Sequence, residues 1–442
     1  MKKFFTKNQN IFKIKINNLL LLLIITLLIF FSTQKDLLGI ASLFAILFVT
    51  IFFTKKFQSL SSILYVAFLL RLITIILGDT VITLPDSWGD AEVFEDKAWE
   101  LSQGNLSDVL KNYQNIEKSF FISWILAIFY NLFDRSILLG QSISLFFGIS
   151  TILLAFKISC RIWDEKVSIK LGWLLALYPT FILYSCLILR ESYVWFFLLI
   201  ALYGIVCWVN DKSYKSLIIT FFGFYLATLF HGGMFIGGLS FLIIIIFTSI
   251  KDIINNIGKL RIPKKSSILF FTSLLLLTYI LIFADNIPKI KSVTQLINID
   301  RLLIEISNRN INNAGYPEWT IPKTLLELIY KAPIRIFYFL FSPFPWDLSK
   351  ITHLIGLLDG TFFCLLFILI IKNFNSIWDD KALRFIFLIF LSYLLIFGIS
   401  TGNFGTGIRH RSKFIPILIL MVLPWIPKFT LKKNKYSRIK IN

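Results

Sequence analysis

The stretch LPDSWGDAEVFEDKAWE, residues 84–100, is the most acidic part of a chain that is otherwise strongly apolar. It holds six carboxylates and one lysine, whereas the whole chain of 442 residues is 57% hydrophobic and 16% charged. The mean hydropathy is +0.77. A soluble protein of this length needs far more polar surface, so the composition predicts an all-α polytopic membrane protein. The acidic stretch must then lie outside the hydrocarbon, at one face of the membrane.

Apolar segments on both sides of this stretch predict about 12 transmembrane helices, because each approaches the ~17–25 residues that a spanning helix needs. The segment 119–133 is short and aromatic, and we interpret it as an interfacial helix on the extracytoplasmic surface. With it, 27 of the 45 Lys and Arg residues lie on one face, as expected of the cytoplasmic side. The predicted spans cover residues 18–33, 37–53, 60–78, 137–157, 168–187, 193–209, 216–230, 234–250, 267–284, 354–371, 384–400 and 413–428.

The chain shows no internal repeat, so we predict a single membrane domain, 1–442, with two outer loops at 79–136 and 285–353. Both termini are expected in the cytoplasm, and the bacterial inner (plasma) membrane is the expected location. The net charge of +20 follows from this topology and does not indicate nucleic acid. The four cysteines have neither disulfide nor zinc spacing. No P-loop, GxGxxG motif or haem spacing is present, which argues against an ATP-driven pump.

Asp90 is the first candidate for chemistry, because it begins a predicted outer helix that ends at Gly104. A helix N-terminus favours an ionised carboxylate. Such a group at the membrane surface can act as a general base towards a hydroxyl, or hold a divalent cation such as Mg²⁺ or Mn²⁺. The alternative is a solvated helix face with ordinary capping acids, which we favour for the later acids of the stretch. Asp86 and Glu92 fall between these two interpretations, and we treat them as candidates for substrate binding.

Three arginines, Arg190, Arg409 and Arg411, lie at the outer ends of predicted spans, where charge is costly. Arginine binds phosphate bidentately and stabilises a phosphate leaving group. The alternatives are snorkelling to the interface, or for Arg190 a pair with the adjacent Glu191. His231 precedes two glycines and is either a phosphate donor or a packing histidine.

Between residue 90 and about residue 210, motifs follow one another in a distinctive order. An acid at Asp90 opens an outer helix, and the interfacial helix ends in YNLF at 130–133. A basic turn RIW follows at 161–163, then LLALYPTFILYS at 174–185, then Arg190 and Glu191. This order resembles the GT-C superfamily of membrane glycosyltransferases, especially the branch with protein mannosyltransferases and aminoarabinose transferases. It covers about a quarter of the chain.

The resemblance implies a sugar donor linked to polyprenyl phosphate, with no nucleotide. It implies that Asp90 is the base or metal-holding acid and that Glu191 occupies the place of a second acid, usually Asp in that family. Arg409 and Arg411 would hold the lipid phosphate. The outer turn GTGIRHR, residues 405–411, is also similar to polysaccharide polymerases of the O-antigen type, which bind two lipid-linked glycans and rely on arginine.

We therefore predict a glycosyltransferase of polysaccharide biosynthesis in the cell envelope. It would move a sugar from a polyprenyl-phosphate-linked donor to a lipid, glycan or protein acceptor on the extracytoplasmic face. Its other partner is the lipid bilayer, and no nucleic-acid partner is expected. Two alternatives remain, an O-antigen-type polymerase and a non-enzymatic transporter of lipid-linked glycans. The donor sugar and any cofactor are left open.

Overall fold

The computed structural model describes residues 36–115, 120–257, 263–283, 299–308, 314–348 and 352–427, together with Thr26. Within these residues the regular elements are helical, and the β-type pairing is limited to an isolated bridge between Gly315 and Asn403. Eight of these helices are long and apolar enough to cross a membrane. The chain is therefore an all-α, multi-pass membrane protein, as its composition predicts.

The α-helices of the described residues are numbered here in chain order. They are α1 (Leu37–Lys56), α2 (Ser61–Thr80), α3 (Glu92–Ser102), α4 (Leu106–Lys111), α5 (Phe121–Phe133), α6 (Ile137–Ile162), α7 (Glu165–Leu177), α8 (Pro179–Tyr184), α9 (Glu191–Asp211), α10 (Tyr214–Phe230), α11 (Phe235–Ile257), α12 (Lys264–Phe283), α13 (Ile299–Asn308), α14 (Leu325–Phe341), α15 (Thr352–Lys372), α16 (Phe374–Asp379), α17 (Lys381–Ser400), α18 (Phe404–Ser412) and α19 (Ile415–Val422). The eight long apolar helices are α1, α2, α6, α9, α11, α12, α15 and α17, and each coincides with a predicted span.

The prediction of one continuous helix over 168–187 is wrong. The structure ends α7 at Leu177 and begins the short helix α8 at Pro179. Proline lacks a backbone N–H, and its ring forces the preceding residue, Tyr178, out of the helical region to φ −71° and ψ 120°. The break matters because it leaves a non-helical segment, residues 185–190, that leads into α9.

Three other predicted spans have different outcomes. The span 216–230 is confirmed as a helix, α10, but its 17 residues make it shorter than the eight long ones. The span 413–428 is replaced by α19 and a 3₁₀ turn, Leu423–Trp425, because prolines interrupt this apolar segment. The span 18–33 lies outside the described residues apart from Thr26. The count of about 12 spans therefore stays a prediction.

The segment predicted to be an interfacial helix is α5, whose 13 residues extend about 20 Å, short of the ~30 Å hydrocarbon. It packs beside the charged helix α3. The Ser123 hydroxyl donates to the Phe94 carbonyl (2.7 Å), and the Asn131 amide donates to the Ser102 carbonyl (2.8 Å). These contacts hold α5 against the charged helix α3, and the interfacial position of the pair stays a prediction.

The two ends of the helix bundle differ in charge. The acidic stretch 84–100 and the first residue of α9, Glu191, lie at one end, which we call the outer end. The opposite end carries the lysines that end α1 and begin α12. At that end an ion pair of 3.7 Å joins Arg161 of α6 to Asp211 at the end of α9. This is the asymmetry expected from the accumulation of Lys and Arg on the cytoplasmic side, and we call this the inner end.

Helix α9 is the most enclosed of the eight long helices, whereas α12 is almost wholly exposed on the surface of the bundle. The side chain of Trp195 on α9 is fully buried, stacks on Phe181 of α8 (4.1 Å between ring centroids) and donates to the Ser412 carbonyl (2.9 Å). These contacts hold α8 and the end of α18 against the first turns of α9. They place three separate chain segments around Glu191.

Candidate functional site

Glu191 is the centre of a cluster of charges at the outer end. It is the first residue of α9, and only 1% of it is exposed. The helix break at Pro179 and the non-helical segment 185–190 precede α9, so Glu191 lies at the N-terminus of this helix. The helix dipole favours a carboxylate at that position. A buried carboxylate also needs cationic partners, because the low-dielectric interior disfavours an isolated charge.

The first partner is Arg409 of α18, whose Nη2 atom lies 3.4 Å from Glu191 Oε1. The Nη1 atom of the same guanidinium donates to the carboxylate of Asp90, with which it forms an ion pair. The Arg409 side chain is 13% exposed and that of Asp90 51%, so the cluster opens towards solvent at Asp90. Burial lowers the pKa of Arg409, but Glu191 and Asp90 outweigh it, and the net shift is upwards.

The second partner of Glu191 is Lys413, which the sequence analysis did not single out. Its Nζ atom lies 3.3 Å from Glu191 Oε1, and the lysine is fully buried. Its ammonium also donates to the carbonyl of Arg409 (3.4 Å). The sequence did contain a sign of this role. Lys413 is the first residue of the predicted span 413–428, and a charge at the end of an apolar span needs a partner.

Asp86 approaches the same cluster from a turn before α3. It has a left-handed backbone conformation (φ 66°, ψ 2°) that an aspartate tolerates better than most residues. Tyr184 at the end of α8 lies close enough to influence the pKa of its carboxylate. Desolvation by the surrounding protein raises the pKa of Asp86, while Arg409 and the Tyr184 hydroxyl partly offset the rise.

A cavity of about 340 Å³ lies beside this aspartate. Asp86, Thr180, Tyr184 and Ile408 line it, together with His353 and the start of α18. Its volume is at the lower end of the range for small-molecule sites, about 300–1,000 Å³. The charged cluster therefore adjoins a space that admits a small molecule.

Three buried polar atoms of the cluster lack a hydrogen-bond partner within the described residues: Glu191 Oε2, Arg190 Nε and Arg409 Nε. A buried polar atom without a partner costs about 1–3 kcal/mol, so three of them in one cluster leave positions that a water molecule or a ligand can fill. The guanidinium of Arg190 lies over the Phe94 ring, 5.0 Å from its centroid. Burial lowers the pKa of Arg190, and no ion pair within 4.0 Å joins it to Glu191 in the described structure. The two residues thus make no direct ion pair, but their charges do interact, and the predicted Arg190–Glu191 pairing stays a prediction.

Arg411 has a different role from Arg409, although the two were grouped in the sequence analysis. The prediction of a turn at 405–411 is wrong, since these residues lie within the helix α18, which the side chain of Asn403 caps (2.8 Å to the Thr406 amide). Arg411 Nε donates to Asp359 Oδ2 at 2.5 Å, and Asp359 also accepts from Tyr178. The remaining nitrogens of Arg411 donate to backbone carbonyls at the end of α14 and of Gly356. These contacts brace the fold.

The other two predicted site residues lie at the margin of the cluster. Glu92 is exposed on α3, and its side chain has no hydrogen bond or ion pair to another described residue. His231 packs edge-on against His410, the neighbour of Arg409, with 5.2 Å between ring centroids. It also packs on Phe397 at 5.2 Å. His231 therefore supports the helix that carries Arg409, and its role towards a substrate stays a prediction.

No group of three or more His, Cys, Asp and Glu side chains in the described ranges is arranged to hold a metal ion. Asp90 and Glu191 are joined through Arg409, and the predicted divalent cation stays a prediction. Comparison with known proteins gives no match among family models, curated proteins or solved structures.

Proposed function

We propose that this protein is a glycosyltransferase that moves a sugar from a polyprenyl-phosphate-linked donor to a hydroxyl of a lipid, glycan or protein acceptor at the outer end. The observation that supports it most is the chain of charges Asp90–Arg409–Glu191–Lys413. It combines the accessible carboxylate of Asp90 with the guanidinium of Arg409, which the buried Glu191 holds in place. A base and a phosphate binder at one site are what transfer from a lipid phosphate requires.

Arg409 is the proposed phosphate-binding residue. Glu191 and Lys413 hold it from the buried side, and its Nε atom has no partner within the described residues. A donor phosphate would compete with Asp90 for the guanidinium, because phosphate oxygens are strong bidentate acceptors. Binding of the donor then releases the Asp90 carboxylate from its ion pair, which couples donor binding to generation of a free base.

The proposed reaction is a single displacement with inversion at the anomeric carbon. The acceptor oxygen forms a bond to C1 of the sugar as the bond between C1 and the phosphate oxygen breaks. The electron pair of that bond leaves with polyprenyl phosphate, whose charge Arg409 stabilises. Asp90 takes the proton of the acceptor hydroxyl. Glu191 is buried and touches two cations, so we assign it to positioning Arg409 rather than to proton transfer.

The test is transfer activity of the full chain reconstituted in liposomes with radiolabelled polyprenyl-phosphate hexoses and aminopentoses. Asp90→Asn should lower the rate by about 10²–10⁴-fold, the usual contribution of a general base, with unchanged thermal unfolding. Glu92→Gln is the matched control, since it removes an exposed acid two residues away and should leave the rate unchanged. Full activity of a folded Asp90→Asn protein would refute the mechanism.

The same assay separates the two predicted alternatives. A polymerase gives a ladder of glycans of increasing length from one acceptor, whereas a single-addition transferase gives one product. A transporter moves the lipid-linked glycan across the bilayer and forms no new glycosidic bond. The proposal is supported if one acceptor molecule is glycosylated for each donor consumed and no ladder of longer glycans appears.

A further inference from the structure

A second cavity, of about 640 Å³, lies at the inner end of the bundle. It is lined by the last residues of α9 and α11 and the first residues of α10, α12 and α17. Helix α9 begins at Glu191 and ends at Asp211, so its 21 residues separate this cavity from the outer cluster by about 30 Å. The cavity is thus a separate site at the opposite face of the membrane.

The lining of this cavity is strongly basic. It contains one acid, Asp252, and six cations: Lys212, Lys251, Lys264, Lys265, Lys381 and Arg384. Like charges gathered in one concave surface repel each other and raise the local potential for anions. The cations come from three helices, α11, α12 and α17, and from the turn after α9. The fold therefore gathers them from separate parts of the sequence.

The single acid does not neutralise this surface. Asp252 accepts hydrogen bonds from the Ser266 hydroxyl and from the Asn256 amide (3.3 Å). No ion pair within 4.0 Å joins any of the six cations to an acid in the described part of the chain. The outer cluster, by contrast, pairs both Arg409 and Lys413 with carboxylates. The inner cavity therefore has an excess of positive charge that suits a phosphate-bearing ligand.

The surroundings of the cavity favour a lipid over a free anion. Trp208 and Phe385 flank Lys381, whose Nζ atom lies 5.8 Å and 5.6 Å from their ring centroids. Helix α12 is almost wholly exposed, and apolar side chains such as Ile268 and Phe271 face outwards directly after its lysines. A phospholipid would place its headgroup among the cations and its acyl chains along this apolar surface.

We propose that the inner cavity binds the phosphate headgroup of an anionic phospholipid of the cytoplasmic leaflet. Basic pockets between transmembrane helices on this side are typical sites for such headgroups. The site is independent of the proposed transfer reaction, because none of its residues belongs to the outer cluster. It would anchor the α11–α12 hairpin to α9 and α17 through the bound lipid.

The test is native mass spectrometry of the full chain in nonionic detergent with phosphatidylglycerol or phosphatidylcholine of identical acyl chains. The wild type should bind phosphatidylglycerol preferentially. The variant Lys251→Gln/Lys264→Gln/Lys381→Gln should bind it roughly 100-fold more weakly, because each lysine near a membrane surface contributes about 1 kcal/mol. The matched control Lys55→Gln/Lys166→Gln/Lys372→Gln removes three exposed inner-end charges outside the cavity and should retain binding.

Three results would overturn this site. One is equal binding of the two lipids by the wild type, and another is an equal loss in the control variant, which would indicate a diffuse surface effect. The third is displacement of phosphatidylglycerol by inorganic phosphate or pyrophosphate at micromolar concentration, which would assign the cavity to a free anion. If the triple variant does not fold, a salt titration of the wild type decides the matter. Binding of phosphatidylglycerol, and not of phosphatidylcholine, should then weaken as salt screens the cavity.

Discussion

Arg409 and Arg411 lie two residues apart on α18 and have opposite surroundings. Arg409 joins Asp90 to Glu191, remains partly exposed and keeps a nitrogen without a partner in the described structure. Arg411 is completely buried, pairs with Asp359 and donates to carbonyls at the end of α14. Residues two positions apart on an α-helix point about 200° apart, so one helical turn serves two different regions. Availability to a ligand, rather than proximity to another arginine, identifies the functional one.

The largest expected effect is the loss of stability on replacing Arg411. Arg411→Met leaves the carboxylate of Asp359 buried without its cation, which should cost about 3–5 kcal/mol of unfolding free energy. The measurement is thermal unfolding in detergent, followed by tryptophan fluorescence. The double variant Arg411→Met/Asp359→Asn should recover part of the loss, because it removes the unpaired charge. A stable Arg411→Met protein would show that the two arginines do not differ as described.

The next effect is on activity, at Arg409. Arg409→Lys keeps a positive charge but loses the bidentate fork, so we expect transfer to slow by about 100-fold or more while unfolding changes little. Arg161→Lys is the matched control, because it alters an exposed arginine in an inner-end ion pair. Equal loss of stability and activity in Arg409→Lys would make Arg409 a structural residue like Arg411.

Much of this contrast lay beyond prediction from the sequence, for identifiable reasons. Hydropathy located the eight long helices, and topology correctly placed Asp90, Glu191 and Arg409 at one end. The difference between Arg409 and Arg411 depends on residues 405–411 being helical, and their two glycines favoured a turn instead. The partners Lys413 and Asp359 lie beside or within apolar segments, and only the packing of distant helices shows what they contact.

A smaller effect is expected for the coupling between Glu191 and Lys413. Lys413→Met and Glu191→Gln should each destabilise the protein, and the double variant should lose less than the two single losses combined. We expect a coupling free energy of about 1 kcal/mol, since Arg409 still accompanies Glu191 when Lys413 is absent. The measurement is a double-mutant cycle of unfolding free energies. Strict additivity would show that the contact of 3.3 Å carries no interaction energy.

The smallest expected effect is a pH dependence at Asp86, the acid that borders the cavity. Desolvation raises its pKa in the folded protein, so the folded state holds this proton more tightly than the unfolded state does. The stability contributed by the protonated carboxyl is therefore fully present below the unfolded pKa and is lost as pH rises through the folded pKa. The asparagine of Asp86→Asn cannot ionise, so this variant does not lose stability in the same way as pH rises.

The unfolding temperature of Asp86→Asn relative to wild type should thus rise between pH 4 and pH 7. Because the protein desolvates Asp86 only in part and the residue keeps some contact with solvent, the change should be no more than a few degrees. Glu92→Gln, an exposed acid without charged partners among the described residues, should show no such trend. In an Arg409→Lys background the change should persist, since desolvation rather than the guanidinium sets its direction. A relative unfolding temperature that falls with pH would mean that Arg409, rather than desolvation, determines the pKa of Asp86. Asp86 and Asp90 would then both be partners of Arg409, and a bound phosphate would compete with both of them.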